Sequence, residues 1–230
     1  MARILIGSMP TAGHVNPLVP LARALVARGH EVRWYTGARH RAKIEATGAQ
    51  HVPMQRALDY DEAALGDHFP ERASLSGLAQ LKFDMKHVFI DLGLPQLQDV
   101  EAIAREFAPE VLLGEPGFVG GAFYSERTGT PIALVNVLPM GLSSRDTAPF
   151  GLGLAPQPGL VGELRNRALN WAVPNVLFRD VQAHWNATRA RAGLPPAGWI
   201  LDFGARVSRY LQPSVPSFEY ARSDLPRNVR

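Results

Sequence analysis

The sequence predicts an α/β protein in which helices flank a parallel β-sheet. One observation is the order strand, loop, helix, strand between residues 3 and 37. A second is that short apolar runs and amphipathic helical segments keep alternating afterwards, as in parallel sheets with helical crossovers. A third is composition: a chain of 230 residues, 46% hydrophobic and 20% charged, is long enough to bury one large core.

The first unit begins with an apolar run at residues 4–6, which is typical of a central strand buried on both faces. Asn16 and Pro17 predict the N-cap and first turn of a helix, and Gly29 predicts its end. The helix carries one apolar stripe: Leu18, Leu21, Ala22, Leu25 and Val26. A right-handed crossover places the next strand, residues 32–35, beside the first. His14 is therefore expected in a loop at the carboxyl end of a central strand, where open sheets bind ligands.

The other elements follow from the same periodicities. We predict strands at residues 49–55, 111–115, 131–137 and 205–212, and helices at 38–48, 74–93, 95–107, 117–129, 163–172 and 176–192. Residues 56–72 read as an irregular acidic loop, and residues 138–159 as a long loop rich in proline and glycine. The predicted domain spans residues 1–212. Residues 213–230 have no period and read as a linker, not as a terminus packed into the core.

Composition excludes several classes of partner and location. The 24 Lys and Arg residues against 21 Asp and Glu leave a net charge of +3, and the basic residues are scattered, so no nucleic-acid partner is expected. The chain has no cysteine, hence no disulfide framework or thiolate metal site. The apolar run after Arg3 breaks at Gly7, too early for a signal peptide, and no membrane span is expected. We expect a soluble, cytoplasmic protein.

Two common nucleotide-binding motifs do not fit. Only Gly7 and Gly13 precede the first long helix, and the second strand ends in Thr36-Gly37 instead of an acidic residue, which disfavours a nicotinamide or flavin enzyme. A P-loop is excluded because Gly-Lys-Ser/Thr does not occur. The seven histidines show neither HExxH nor paired ligand spacing, so the sequence predicts no metal site.

Two titratable residues remain at predicted strand ends. His14 is either a structural hydrogen-bonding residue or a catalyst. Glu115 ends another central strand and can orient a histidine or cap the following helix. From the residues alone, the cap is the favoured reading of Glu115.

Several segments together resemble a known family. They are Gly13-His14-Val15-Asn16-Pro17, residues 21–22, 27–32, 109–113 and 129–131, and the tail from Glu219 to Val229. This set is similar to the amino-terminal half of the family 1 glycosyltransferases of GT-B fold, especially bacterial enzymes acting on macrolides and related natural products. The resemblance implies a Rossmann-like, acceptor-binding domain. Nothing in the chain resembles the second half, which in the family holds the nucleotide sugar, so the chain is either a truncated piece or a separate half-protein.

The resemblance implies a role for each candidate residue. His14 matches the family's catalytic base, and Glu115 matches the carboxylate that orients it, although the family more often has Asp there. The reaction it implies is inverting transfer of a sugar from a nucleotide-sugar co-substrate to an acceptor hydroxyl, without a metal or other cofactor. The expected contacts of a small, largely apolar acceptor are Gly13, Phe83, Phe89, Phe118 and Met140. Core packing is the alternative for the apolar members, and Trp171 and Trp185 are assigned to the core.

Two other functions remain open at this point. A non-catalytic half-protein would keep the fold and serve as a binding or scaffold module for a partner. A sugar-nucleotide epimerase of similar fold would need no acceptor pocket.

Overall fold

The computed structural model describes residues 1–230, except for the side chain of residue 62. A six-stranded, all-parallel sheet has the order β3-β2-β1-β4-β5-β6. The strands are β1 (Arg3–Gly7), β2 (Glu31–Thr36), β3 (Gln50–Pro53), β4 (Val111–Gly114), β5 (Ile132–Val135) and β6 (Arg209–Leu211). The predicted Rossmann-like fold class is thus confirmed. The strand order reverses between β1 and β4, and such a switch point is where doubly wound sheets bind ligands.

Nine α-helices connect the strands in the part of the chain that the structure describes. They are α1 (Ala12–Val15), α2 (Val19–Ala27), α3 (Arg41–Glu45), α4 (Leu65–His68), α5 (Gly77–Phe83), α6 (Gly93–Phe107), α7 (Val119–Thr128), α8 (Gly159–Ala172) and α9 (Arg179–Arg191). π-Helical segments join α5 to α6 (Asp84–Ile90) and α8 to α9 (Val173–Leu177), and 3-10 turns occupy Asn16–Leu18, Ala38–His40, Pro70–Ser74 and Ile200–Arg206. None of the described helices has both the length and the apolar character needed to cross a bilayer.

The start of the first helical unit differs from the prediction. Helical structure begins at Ala12, so His14 lies in the helical turn α1 and not in a loop. Asn16 itself has helical dihedral angles, and its side-chain oxygen accepts a hydrogen bond from Lys43 at 2.7 Å instead of capping a helix. The predicted N-cap at Asn16 is wrong because helical structure already begins at Ala12, so Asn16 has helical dihedral angles where an N-cap residue is extended. The predicted end is confirmed: Gly29 has a φ of 79°, the left-handed conformation that glycine adopts freely.

The sheet is buried on both faces. Ile6, Trp34 and Leu113 face a cluster covered by α2, and Leu5 and Leu112 face one covered by α6. Four of the five predicted stripe residues pack on the first cluster, Leu18 from the 3-10 turn and the others from α2; Leu21 is partly exposed. Apolar side chains on both faces are what a central parallel strand requires.

Three glycines make room for one aromatic ring in this core. A Cβ atom built on Gly7, Gly114 or Gly121 would lie 2.3, 2.6 or 2.1 Å from the Phe118 ring. Phe118 is fully buried, because the ring lies directly against β1, β4 and α7. Phe118 is therefore a core residue, as the alternative interpretation stated. Its buried ring has no surface with which to contact an acceptor.

The two tryptophans assigned to the core have different environments. Trp185 on α9 is 1% exposed, which confirms the assignment. Trp171 on α8 is 64% exposed, so its assignment is wrong. The inward face of α8 is polar: buried Asn166 donates to the carbonyl of Arg145, and Asn170 to that of Ser144.

The tail is docked on the sheet, contrary to the expectation of an unpacked segment. Val229 is 9% exposed and bridges to Tyr210 of β6. The Tyr210 amide donates to the carbonyl of Asn228, and the Arg230 amide donates to the carbonyl of Tyr210, both at 2.9 Å. β6 is the edge strand, and its unpaired backbone groups find partners in the returning chain. That residues 213–230 connect to a second domain stays a prediction.

Candidate functional site

The candidate site lies where β1 and β4 end, at the switch point of the sheet. The loop after β1 carries Met9, α1 carries His14, and Glu115 directly follows β4. His14 Nδ1 lies 2.5 Å from Glu115 Oε2, although the two residues are 101 positions apart. The sequence prediction had placed both residues at carboxyl ends of central strands, and the pairing of β1 with β4 brings them into direct contact.

The Glu115 carboxylate is completely buried and accepts three hydrogen bonds. Oε1 accepts from the Met9 amide at 2.9 Å, and Oε2 accepts from the Gly117 amide at 2.7 Å and from the His14 ring. A buried carboxylate requires such donors, because it has lost its contact with water. The interpretation of Glu115 as only a helix cap is therefore incomplete. Its Oε2 atom accepts both from the Gly117 amide, shortly before α7, and from the His14 imidazole. The longer Glu side chain does reach the histidine.

The contact with Glu115 defines the tautomer of His14. Because the carboxylate only accepts, Nδ1 carries the proton and Nε2 carries the lone pair of the neutral ring. The His14 side chain is 19% exposed, so the ring keeps partial access to solvent. An imidazole held in this way can accept a proton at Nε2 while the carboxylate stabilises the cation that forms, as in hydrolytic triads.

Close packing holds the carboxylate in place. A Cβ atom on Gly117 would lie 2.3 Å from Met9 Sδ and 3.0 Å from Glu115 Oε1, so only glycine fits there. On the other side, Thr36 Oγ1 donates to the Met9 carbonyl at 3.1 Å, and buried His40 bonds to the Pro10 carbonyl at 3.0 Å. The loop that precedes His14 is thus held by Thr36 of β2 and by His40, which follows β2.

An apolar cluster next to this loop connects it to a surface pocket. Buried Met9, Tyr60, Val88 and Leu92 pack together, and Phe89 packs against them. Leu92 also lines a cavity of about 530 Å³ whose other walls include Leu58, Phe69, Phe83, His87 and Asp91. Arg56 and Glu71 also line it, so the walls combine apolar and charged side chains. A cavity of this volume suits a small-molecule ligand.

The predicted acceptor contacts do not all lie at the same place in the structure. Phe83 lines the cavity, and Phe89 is half-buried beside the Met9 cluster. Gly13 is exposed next to His14, with no atom within 4 Å of the position that a Cβ would take. Met140 is buried in the core, and its carbonyl accepts from Arg222. The structure therefore places Phe83 in the cavity and Phe89 against the adjoining Met9 cluster, whereas Met140 lies in the core.

Sequence reasoning missed a second buried carboxylate, Asp99, which holds the chain segment after β3. Asp99 is 3% exposed and accepts hydrogen bonds from the backbone amides of residues 55, 56 and 57 and from the Tyr35 hydroxyl. Burial, together with the charge of Asp99, raises the pKa of Tyr35 far above its usual value, so the phenol stays protonated and donates. The helical periodicity of residues 95–107 did not single out Asp99, because a charged residue is common in an amphipathic helix.

Comparison with known proteins provides the family. No family model matches the chain. The chain is 42% identical over 231 residues to 4'-demethylrebeccamycin synthase of Lentzea aerocolonigenes, covering 100% of this chain and 55% of that protein. It is 30% identical over 239 residues to UDP-glycosyltransferase 2 of Phaeomoniella chlamydospora, covering 99% and 52%. The crystal structure of the glycotransferase of kitacinnamycin matches with a TM-score of 0.64 at 21% identity, covering 100% and 49%.

The fold and the likeness to these proteins define the class: the chain has the Rossmann-like architecture of a GT-B glycosyltransferase domain. The resemblance found in the sequence is thereby confirmed: along its whole length the chain is similar to glycosyltransferases of this fold. It spans about half the length of the curated relatives it matches.

Proposed function

We propose that the chain is the acceptor-binding half of an inverting glycosyltransferase, which transfers a sugar from a nucleotide sugar to a hydroxyl of a small, largely apolar acceptor. The observation that carries this proposal is the contact of His14 with fully buried Glu115 at the switch point. The relatives named as glycosyltransferases support the same reaction class.

The chemistry follows from the geometry of the pair. An acceptor hydroxyl is too weakly acidic to attack at neutral pH unless a base removes its proton during the attack. His14 Nε2 takes that proton, the acceptor oxygen bonds to the anomeric carbon, and the bond from that carbon to the nucleoside diphosphate breaks on the opposite face. The anomeric centre is inverted. Glu115 acts as the positioning residue, since it holds the ring through Nδ1 and stabilises the imidazolium.

The acceptor is expected over the apolar surface beside His14. Phe89 packs against the Met9 cluster that adjoins the loop before His14, Phe83 lines the cavity that shares Leu92 with this cluster, and Gly13 leaves space next to the base. The donor is a UDP- or dTDP-sugar bound by a carboxyl-terminal domain outside these 230 residues. One relative is named a UDP-glycosyltransferase, and one solved neighbour is complexed with thymidine diphosphate. A cytoplasmic location and the lack of a nucleic-acid partner stay predictions.

The test is His14→Ala in the complete enzyme. The donor-binding half comes from the whole reading frame or, if the frame stops at residue 230, from a chimera with the second half of the Lentzea relative. Turnover should fall about 100-fold or more, since a positioned general base contributes that much. Acceptor affinity, measured by calorimetry, should change little. Turnover within a few-fold of the parent enzyme would contradict the role of His14.

The scaffold alternative is not favoured. A non-catalytic module has no need of a buried carboxylate that holds an accessible imidazole in one tautomer. The epimerase alternative has no support in the comparisons: UDP-glycosyltransferase 2 and the solved neighbours are named as sugar-transferring enzymes, and none of the proteins cited above is named an epimerase.

A further inference from the structure

A second cluster of titratable side chains lies away from His14, at one wall of the cavity. His87 belongs to the π-helical segment Asp84–Ile90, Asp91 follows that segment directly, and His184 lies on α9. His87 Nδ1 is 2.8 Å from Asp91 Oδ2, and His184 Nε2 is 2.6 Å from Asp91 Oδ1. All three side chains are partly exposed, so ions can reach them from solvent.

The atoms of this cluster match the donor set of a transition-metal site. Two imidazole nitrogens and one carboxylate oxygen are ligands that zinc and similar divalent ions take in proteins. The three candidate ligand atoms all lie within 4.8 Å of one another. Tetrahedral zinc with bonds of about 2.1 Å separates its ligands by about 3.4 Å, so no pair of ligand atoms would have to approach by more than about 1.4 Å, which rotamer adjustments can supply.

The supporting structure keeps the ligands close without a metal. Lys82 and Lys86 pair with Asp180 at 3.0 and 2.8 Å, which ties the segment before His87 to the same helix that carries His184. The Phe83 ring packs on the His87 ring with centroids 4.6 Å apart. π-Helical turns are rare and frequently occur at functional sites.

We propose that His87, Asp91 and His184 bind one divalent transition-metal ion of the zinc class. The ion links the π-helical segment to α9. Coordination requires lone pairs on His87 Nδ1 and His184 Nε2, so in each neutral ring the proton moves to the other nitrogen, and a doubly protonated ring releases a proton to solvent. Three protein ligands leave a fourth position for water, and because His87 and Asp91 line the cavity, the ion lies at its wall.

The test of this site needs no transfer activity, so its outcome does not depend on the proposed reaction. The metal-free 230-residue chain is titrated with ZnCl₂ by calorimetry, and its thermal melt is followed by circular dichroism. We expect saturable uptake of one zinc per chain. At a zinc concentration about 100-fold above Kd, we expect the Tm to rise by about 5 °C or more. Cobalt should give visible d–d absorption that zinc abolishes by displacement.

Variants locate the ion. His87→Ala and His184→Ala should each weaken zinc binding at least tenfold, whereas His68→Ala, which removes an exposed imidazole outside the cluster, should bind as the parent does. Asp91→Asn keeps the shape and removes the charge, and it serves as the ligand variant if a histidine variant does not fold. The absence of saturable uptake, or unchanged affinity in the folded ligand variants, would overturn the proposal.

Discussion

Replacing Glu115 by glutamine tests whether the buried carboxylate organises the site. The amide has nearly the shape of the carboxylate, but it has only one acceptor oxygen where the structure uses two. Oε2 accepts from the Gly117 amide and from His14, so the single amide oxygen of glutamine should take the position of Oε2. The new NH₂ group then faces the Met9 amide, which loses its acceptor at a completely buried position.

The magnitude of the effect follows from that single loss. A buried donor left without a partner costs about 1–3 kcal/mol of folding free energy. For a chain of this length, about 1 kcal/mol corresponds to about 2–4 °C in Tm. Glu115→Gln should therefore lower the Tm of the 230-residue chain by about 2–12 °C.

The assay is a thermal melt of the isolated chain at neutral pH, with Glu106→Gln as the matched control. Glu106 pairs with Arg33 at 3.0 Å, but its side chain is 75% exposed. Exposed ion pairs contribute about 0–1 kcal/mol, so the control should shift much less. If Glu115→Gln melts within experimental error of the parent chain, the reasoning that Glu115 is a required triple acceptor is refuted.

The same variant makes a kinetic prediction in the complete enzyme. Without the carboxylate, the imidazolium form of His14 is less stable, so the acid limb of the pH–rate profile should move to lower pH. Turnover should also fall, because the amide no longer enforces the tautomer with the lone pair on Nε2. An acid limb that does not move would show that Glu115 is structural only.

Three further predictions test other parts of the structure. Gly117→Ala introduces a Cβ against Met9 Sδ, so it should destabilise the chain by about 1–3 kcal/mol in denaturant melts, whereas Gly66→Ala, with open space around it, should not. The Lys86 hydrogen bond is the largest cause that lowers the pKa of Asp180 to about 2. The ionised Asp180 carboxylate therefore stabilises the fold fully above its unfolded pKa of about 3.9. This stabilisation is lost as the pH falls through the pKa of Asp180 in the folded chain. Asp180→Asn should therefore lower Tm slightly at pH 7, and this difference should vanish as the pH approaches the folded value. The isolated chain should melt cooperatively but show negligible binding of UDP- and dTDP-sugars in calorimetric titrations; micromolar donor affinity or multiple turnovers would contradict the half-enzyme proposal.

The sequence by itself determined the fold class and the positions of the two central site residues. Strand and helix periodicities are local properties, so apolar runs and amphipathic stripes located the sheet and its covering helices without knowledge of the partners. The segment around His14 carried the family resemblance, and Glu115 was predicted at the end of a buried strand. Both predictions depend on a few neighbouring residues only.

Tertiary structure decided which distant groups meet. The contact of His14 with Glu115 spans 101 positions and exists because β1 pairs with β4. Residue type alone left Glu115 open between a cap and a partner. The Asn16 side chain, predicted as a cap, instead accepts from a lysine 27 positions away. Likewise, His87 and Asp91 show a common helical spacing, and only the packing of α9 brings His184 to them. Such pairings depend on packing over long sequence separations, which local periodicity does not encode.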